Sequence, residues 1–263
     1  MLSQTFSDWE WIIVDDGSTD DSAVVLAQLK MSDPRIKTFA LDSNRGRGYA
    51  RNFALKMCKT DYVVIWDIDD LYLPRRLELI QASFEQGYDF FVSYALVVDS
   101  EIKLKGARHF RKKMTPFAVS FVHPTLAFNK SATGPYGYDE TMRAGEDLQL
   151  MIILENHFNG FYCPEYLMLY VEDREINLYK TITMHSSHLR TIKYLMKFGL
   201  VKFDLRMQIN ILSKMYLKSF VLLLFRCYPR LYLLSVQFRH KDPIISSLLT
   251  SNHLLFFKRF THA

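Results

Sequence analysis

Asp67, Asp69 and Asp70 place three carboxylates within four positions, directly after the apolar run Tyr62-Val63-Val64-Ile65-Trp66. That run is short, β-branched and aromatic, which predicts a strand buried on both faces. Acids gathered at the end of such a strand repel one another in a medium of low dielectric. Two arrangements relieve the repulsion. One is a hard divalent cation that takes oxygen ligands. The other is an acidic turn in which Asp69 or Asp70 caps a helix starting near Pro74. Two more acidic pairs stand out. Asp15-Asp16 follows the apolar run Trp9–Val14, and Glu146-Asp147 opens a helical pattern, where the helix dipole favours acids. Asn44 and Arg51 flank a second loop. Arg51 has two readings, a phosphate contact or a salt bridge on a helix face.

The surrounding pattern predicts the elements that must position these residues. Trp9–Val14 reads as a strand, followed by a helix capped by Ser18 or Thr19 and running to about Met31. A short strand at 36–41 and a helix at 49–59 come next. The strand at 62–66, a helix at 74–86 ended by Gly87, and a strand at 89–98 complete the first hundred residues. Alternating strands and helices argue for an α/β fold with a mainly parallel sheet, in which ligands bind beyond the carboxyl ends of the strands. Asp15-Asp16, Asn44 and Asp67–Asp70 all fall at such ends. Further along, 101–113 reads as a hairpin followed by a basic loop at 108–113. Strands are expected at 124–129, 160–163 and 166–171, and a helix at 146–156. Helices dominate thereafter, at about 180–199, 202–227 and 242–258.

Composition narrows the class. The 263 residues are 49% hydrophobic, enough for a substantial core. Cys58, Cys163 and Cys227 are far apart and odd in number, which argues against a disulfide framework or a zinc site and for a reducing compartment. The amino terminus carries neither a basic nor an apolar segment of the signal-peptide type. Net charge is +5, but it is unevenly spread. Residues 185–263 hold 13 Lys and Arg against Asp204 and Asp242, a net +11, whereas residues 1–184 carry −6. No uncharged run reaches the roughly 18–20 residues of a membrane-spanning helix. Leu, Phe, Tyr and Met interleaved with Lys and Arg instead suit helices lying on an anionic bilayer, or helices packed on the first domain with a solvated basic face. No nucleic-acid module is recognisable, so nucleic acid is not an expected partner.

Gly46-Arg-Gly48-Tyr-Ala-Arg51 mimics a dinucleotide fingerprint, with Asp67 as the ribose-binding acid. Ala50 replaces the third glycine, an arginine sits between the first two, and the reading leaves the other acids unexplained. A fuller pattern accounts for them. Ile12-Ile13-Val14-Asp15-Asp16-Gly17-Ser18-Thr19-Asp20 resembles the nucleotide-pocket motif of family 2 glycosyltransferases, which have the GT-A fold. Asn44-x-Gly46-x-Gly48-x-Ala50-Arg51-Asn52 resembles that family's next motif. Trp66-Asp67-Ile68-Asp69-Asp70, followed by Leu71 and Pro74, resembles its DxD metal motif, and Ala144-Gly145-Glu146-Asp147-Leu148 its ED motif. The four occur in the family's order and cover roughly residues 1–175.

The resemblance implies an inverting, metal-dependent transferase acting on a nucleotide-sugar, a UDP-sugar first and a GDP-sugar second, with a saccharide or lipid-linked acceptor in surface-glycan synthesis. It implies Mg2+ or Mn2+ held by Asp69 with Asp67 or Asp70, countering charge on a diphosphate leaving group. Asp16 and Asp15 are implied contacts of the base and ribose, with Asn44, Arg51 and Asp67 also on the donor side. Asp147 is the implied general base toward the attacking hydroxyl, and Glu146 an acceptor-side residue. His123 and His185 are candidate site residues, although a lone histidine is more often structural and neither is expected to be a metal ligand. A basic helical tail from 176 would sit on the cytoplasmic face of a membrane.

One departure stands against the family pattern. Such chains ordinarily open with a strand and a helix, of which Met1–Phe6 resembles only the last turn. The missing strand is central in the GT-A sheet, between the strands at 9–14 and 62–66. Its loss predicts two unpaired strand edges, at about 1–3 kcal/mol per backbone partner left unmade, and a chain truncated at its amino end. A second function is therefore expected alongside the first: a degenerate, non-catalytic nucleotide-binding or scaffold protein.

Overall fold

The computed structural model describes residues 1–111, 117–134, 136–172, 178–201 and 204–227. Its elements are β1 (Trp11–Asp15), α1 (Ser22–Ser32), β2 (Ile36–Ala40), α2 (Arg47–Met57), β3 (Tyr62–Val64), β4 (Leu71–Tyr72), α3 (Arg76–Glu85), β5 (Phe90–Val98) and β6 (Leu104–Arg108). After a 3-10 turn at His123–Thr125 come β7 (Ala127–Asn129), α4 (Lys130–Thr133), α5 (Leu148–His157), β8 (Gly160–Val171), α6 (Leu178–Lys197) and α7 (Leu205–Cys227). The helix expected at 242–258, together with Lys112 and Lys113 of the basic loop, lies outside the described residues.

The architecture is α/β, a mixed sheet with flanking helices. The balance within the sheet is not mainly parallel as expected. Strands β1 and β2 pair in parallel, as do β5 and β8, whereas β3–β7, β5–β7, β5–β6 and β4–β8 are antiparallel. The physical reason lies in the connections. The hairpin β5–β6 and the short strands β4 and β7 insert against the direction of their neighbours, and the alternating first hundred residues yield only one parallel pair. The segments expected as strands at 160–163 and 166–171 form one strand, β8. It is interrupted where the register against β5 shifts beside Ser93 and Tyr94, with Pro164 on the irregular strand.

Strand β5 is the centre of the main sheet, and Phe90, Phe91, Val92 and Ala95 on it are essentially inaccessible. Alternation divides its side chains between two layers. Phe90 and Val92 pack with Val63, Leu126, Phe128 and the α5 residues Leu150 and Leu154. Phe91 packs on the other face with Leu77, Ile80 and Phe84 of α3. The tail is continuous with this core: Ile192 and Leu195 of α6 and Ile211 of α7 join Phe117, Ile152 and Ile153 in one cluster.

The first βαβ unit is less well covered. Strands β1 and β2 form a sheet of their own, separate from the six-stranded sheet that begins at β3. The discontinuity expected between 9–14 and 62–66 is therefore present among the described residues. Every residue of β1 is only half-buried despite the sequence Trp-Ile-Ile-Val, and α1 buries no residue at all. Strand β3 is likewise not buried on both faces as expected. It occupies the end of its sheet, and Tyr62 stacks on Phe84 with 46% of its surface exposed. Helix α1 also starts later than expected, so neither Ser18 nor Thr19 caps it. The Ser18 N–H is taken by Asp15 Oδ1 at 2.9 Å, and Asp20 organises the helix start by accepting from the Ser22 N–H at 3.0 Å.

Candidate active site

The acids gather where the strands end, each held by a different local device. Asp15 closes β1 and folds the loop behind it through the Ser18 N–H. Asp16 reaches across to the loop after β2, where Oδ1 accepts from the Arg45 N–H at 2.7 Å and Oδ2 from the Gly46 N–H at 2.8 Å. Gly17 permits this crossing. Its φ is +72°, and a Cβ there would lie 2.5 Å from the Ser43 carbonyl carbon. Asn44 accepts from Arg143 Nη1 at 3.2 Å. Gly48, part of the dinucleotide-like string, lets α2 touch the 139–140 loop, since a Cβ would meet the Asp139 oxygen at 2.7 Å. Its glycine serves helix packing.

The chain turns back between Asp67 and Asp70, with the Asp70 N–H reaching the Asp67 carbonyl at 3.3 Å. Asp67, Asp69 and Asp70 each offer an oxygen, all within 4.8 Å of one another. Asp69 is exposed, Asp67 half-buried and Asp70 buried. Asp70 Oδ1 accepts from the Val171 N–H at 3.0 Å, which ties the acidic turn to the end of β8, while its buried Oδ2 has no partner. Burial pushes the Asp70 carboxyl up to about 7, with Asp69 and Asp67 adding to the shift and the Val171 N–H and Arg76 opposing it. Neither Asp69 nor Asp70 caps α3, which begins at Arg76 without a side-chain cap. A buried oxygen without a partner, on a residue grouped with two further carboxylates, fits a hard divalent cation such as Mg2+ or Mn2+.

A buried cation already lies beneath the cluster, and the sequence reading missed it. Arg76 has no exposed surface, and its guanidinium donates to the Ile65 carbonyl at 3.0 Å and the Pro124 carbonyl at 2.9 Å. It lies 4.4 Å from the Tyr72 ring centroid and 5.2 Å from that of Trp66. Burial lowers its pKa to about 10, still charged at neutral pH. Tyr72, from the unanticipated strand β4, accepts the Asp67 N–H on its hydroxyl oxygen at 3.0 Å. The one sequence signal for Arg76 is its place in the first turn of a helix, where the dipole disfavours a cation.

The second motif joins the acidic turn to the fourth. Arg51 Nη2 lies 3.2 Å from Asp67 Oδ1, and Arg51 Nη1 lies 2.7 Å from Glu146 Oε1. Arg47 Nη2 meets the other Glu146 oxygen at 3.1 Å. Burial opposes the Arg51 charge, yet Asp67, Tyr138, Glu146 and Asp147 together hold its pKa above the ordinary arginine value. Both oxygens of Glu146 are thus taken by arginines, and the carboxylate is almost wholly buried. That arrangement orients Arg51 and leaves the adjacent Asp147 as the carboxylate without a side-chain cap bond at the start of α5. Burial raises the Asp147 pKa, as does Glu146, against the opposing pull of Arg51 and Arg47.

His123 and His185 both make packing contacts with residues outside the acidic turn. His123 Nε2 lies 3.0 Å from the Tyr138 hydroxyl, and burial drives its pKa far down, so it is neutral. Tyr138 in turn lies under Arg51. His185 Nε2 contacts Ser219 Oγ at 2.9 Å, between α6 and α7. At the end of β6, where a basic loop was expected to begin, Arg108 pairs with Glu172 at 2.9 Å.

The family model for glycosyl transferase family 2 matches residues 1–137, more than half of the chain. The chain belongs to that family. EpsE of Bacillus subtilis (strain 168) is 30% identical over 185 residues, which cover 66% of each chain. WfgD of Escherichia coli, a UDP-Glc:alpha-D-GlcNAc-diphosphoundecaprenol beta-1,3-glucosyltransferase, is 24% identical over 176 residues, 63% of this chain and 68% of that protein. Among solved structures, residues 1–349 of TarS from S. aureus in complex with UDP align with a TM-score of 0.57 at 18% identity, covering 72% of this chain and 58% of that one. The mannosyltransferase PcManGT of Pyrobaculum calidifontis, in complex with GDP-Man and Mn2+, aligns with a TM-score of 0.55 at 14% identity over 99% of this chain and 76% of that one. The chain thus spans about two thirds of the sequence relatives it matches first, and the structural likeness establishes the GT-A fold.

Proposed function

We propose that this glycosyltransferase-family chain transfers a sugar, with inversion, from a UDP-sugar to a saccharide or lipid-linked acceptor in surface-glycan synthesis. The observation that carries the reading is the Arg51 bridge. One guanidinium ties Asp67 of the acidic turn to Glu146, immediately before Asp147. It joins the acidic turn to the Glu146–Asp147 end through two contacts of one side chain. Relatives and neighbours support the donor class: WfgD is named for a UDP-Glc donor and a lipid-diphosphate acceptor, TarS was solved with UDP, and PcManGT with GDP-Man and Mn2+.

In this reading Asp67, Asp69 and Asp70 hold Mg2+ or Mn2+, which when bound offsets charge on the diphosphate. The acceptor oxygen forms a bond to the anomeric carbon while the bond from that carbon to the phosphate oxygen breaks, releasing the nucleoside diphosphate. The hydroxyl proton passes to the Asp147 carboxylate. Attack from the side opposite the leaving group inverts the anomeric centre. The raised pKa of Asp147 makes it a stronger proton acceptor than an exposed aspartate. Glu146 does not meet the acceptor in this scheme; it fixes Arg51. Asp15, Asp16 and Asn44 line the donor side, and Asp16 does so by shaping the Arg45–Gly46 loop while each oxygen keeps a lone pair for a ligand.

The test is a screen of UDP- and GDP-sugars against saccharide and lipid-linked acceptors, reading nucleoside diphosphate release and the anomeric configuration of the product. UDP release that is lost in Asp147→Asn and Asp69→Ala supports the reading; a retained anomer overturns inversion. The separation of β1 from β3 beside the donor side favours a second reading, a non-catalytic nucleotide-binding or scaffold protein. Manganese-dependent UDP binding that Asp69→Ala abolishes, with turnover, excludes the scaffold. Absence of both binding and turnover favours it.

A further inference from the structure

Helix α7 is apolar on two opposite sides. Ile211 and Leu222 face inward and are buried, with Met215 packed beside them. The outward side carries Leu205, Ile209, Tyr216, Phe220 and Leu223, at helical spacings that align them in one stripe. Each of these five is between 50% and 68% exposed. Leu217 and Leu224 widen the stripe and are exposed as well. A surface helix ordinarily turns charged or polar residues outward, and an apolar patch of this extent marks an interaction surface.

We propose that the outward face of α7 docks on an anionic lipid bilayer. Charge selects this occupant. Arg206, Lys214 and Arg226 lie at the margins of the stripe, Lys218 lies on the α6 side near His185 and His188, and no acid lies within α7. Pairing two copies of the face would bring these cations together, whereas an anionic headgroup layer neutralises them. Aromatic residues with adjacent cations continue the pattern toward α6, where Lys193 Nζ lies 5.0 Å from the Tyr216 ring centroid. Such amphipathic rings suit the boundary between headgroup and acyl chain. No helix among the described residues is long and apolar enough to cross a membrane, so the helix lies on the surface.

The docking face is coupled to the candidate active site. Helix α6 supports α7 and touches the loop ahead of Asp147: Arg190 Nη2 donates to Thr141 Oγ1 at 2.8 Å, and Ser187 Cβ lies 3.1 Å from where a Cβ on Gly145 would stand. Binding a bilayer through α7 therefore holds the Glu146–Asp147 side near the surface. That consequence rests on the proposed function; the docking itself does not.

The experiment is co-sedimentation of the full chain with phosphatidylcholine vesicles and with vesicles containing phosphatidylglycerol, alongside sedimentation velocity without lipid. The expected result is binding to the phosphatidylglycerol vesicles that weakens with salt. The triple variant Leu217→Gln, Phe220→Gln, Leu223→Gln is expected to lose about tenfold or more in partitioning. Because these side chains are exposed, its circular dichroism and thermal midpoint should match the native chain, and a variant with an altered midpoint is replaced by Phe220→Ser alone. Undiminished binding of a well-folded variant overturns the proposal. A dimer that the variant disperses, without vesicle binding by the native chain, overturns it in favour of self-association.

Discussion

Replacing Arg51 with methionine keeps much of the side-chain volume and removes the guanidinium that joins the two ends of the site. The cost follows from what is left behind. Glu146 has a side chain only 2% exposed and would retain Arg47 alone, whose own side chain is 56% exposed. Breaking a buried ion pair from one side costs about 3–5 kcal/mol, and the surviving Arg47 contact places this case near the lower end, about 3 kcal/mol. Glu146→Gln leaves Arg51 paired with Asp67 and should cost about 2 kcal/mol. The double variant has no stranded carboxylate at 146, so it should cost about 3 kcal/mol instead of the sum of the two, a coupling of about 2 kcal/mol. Urea unfolding of the four proteins, followed by circular dichroism and by tryptophan fluorescence, measures each step. Effects that add to within about 0.5 kcal/mol would refute the reasoning, because they would mean that Glu146 does not depend on Arg51.

Asp147 must be ionised to take a proton, and its pKa is raised, so the transfer rate should be full above that pKa and fall as pH drops through it. The acid limb should lie above the ordinary aspartate value of about 3.9, and Arg51→Met, which removes an opposing positive charge, should move it higher still; kcat/KM against pH with a saturating second substrate reads both. Asp70→Asn should weaken Mn2+ binding by about tenfold or more, measured by the loss of the free-ion electron paramagnetic resonance signal, because it replaces one carboxylate of the three-acid cluster with a neutral amide. In β1 the Trp11 N–H points to β2, donating to the Arg35 carbonyl at 2.8 Å, so alternation aims Ile12 and Val14 at the open side. Their amides should exchange with deuterium much faster than that of Ile13, and equal protection would contradict the open edge.

The sequence by itself determined the chemistry of the loops. Asp15-Asp16, the Asn44–Asn52 string, Asp67–Asp70 and Glu146-Asp147 are legible because strand ends and loops carry function in residue types and short spacings, which survive without coordinates. Contacts that join distant segments were decided only by the tertiary structure. Arg51 was ambiguous between phosphate and salt bridge until the fold brought positions 67 and 146 to its two nitrogens. Glu146 read as an acceptor-side acid because its burial against two arginines depends on α2 and the 139–147 loop meeting, nearly a hundred residues apart. Arg76 carried only the weak signal of a cation in a first helical turn, and its burial beside the acidic turn was decided by the packing of α3 against Ile65 and Pro124. The antiparallel weight of the sheet was hidden for the same reason: periodicity reports which residues are buried in a strand, and only the partner strand sets its direction.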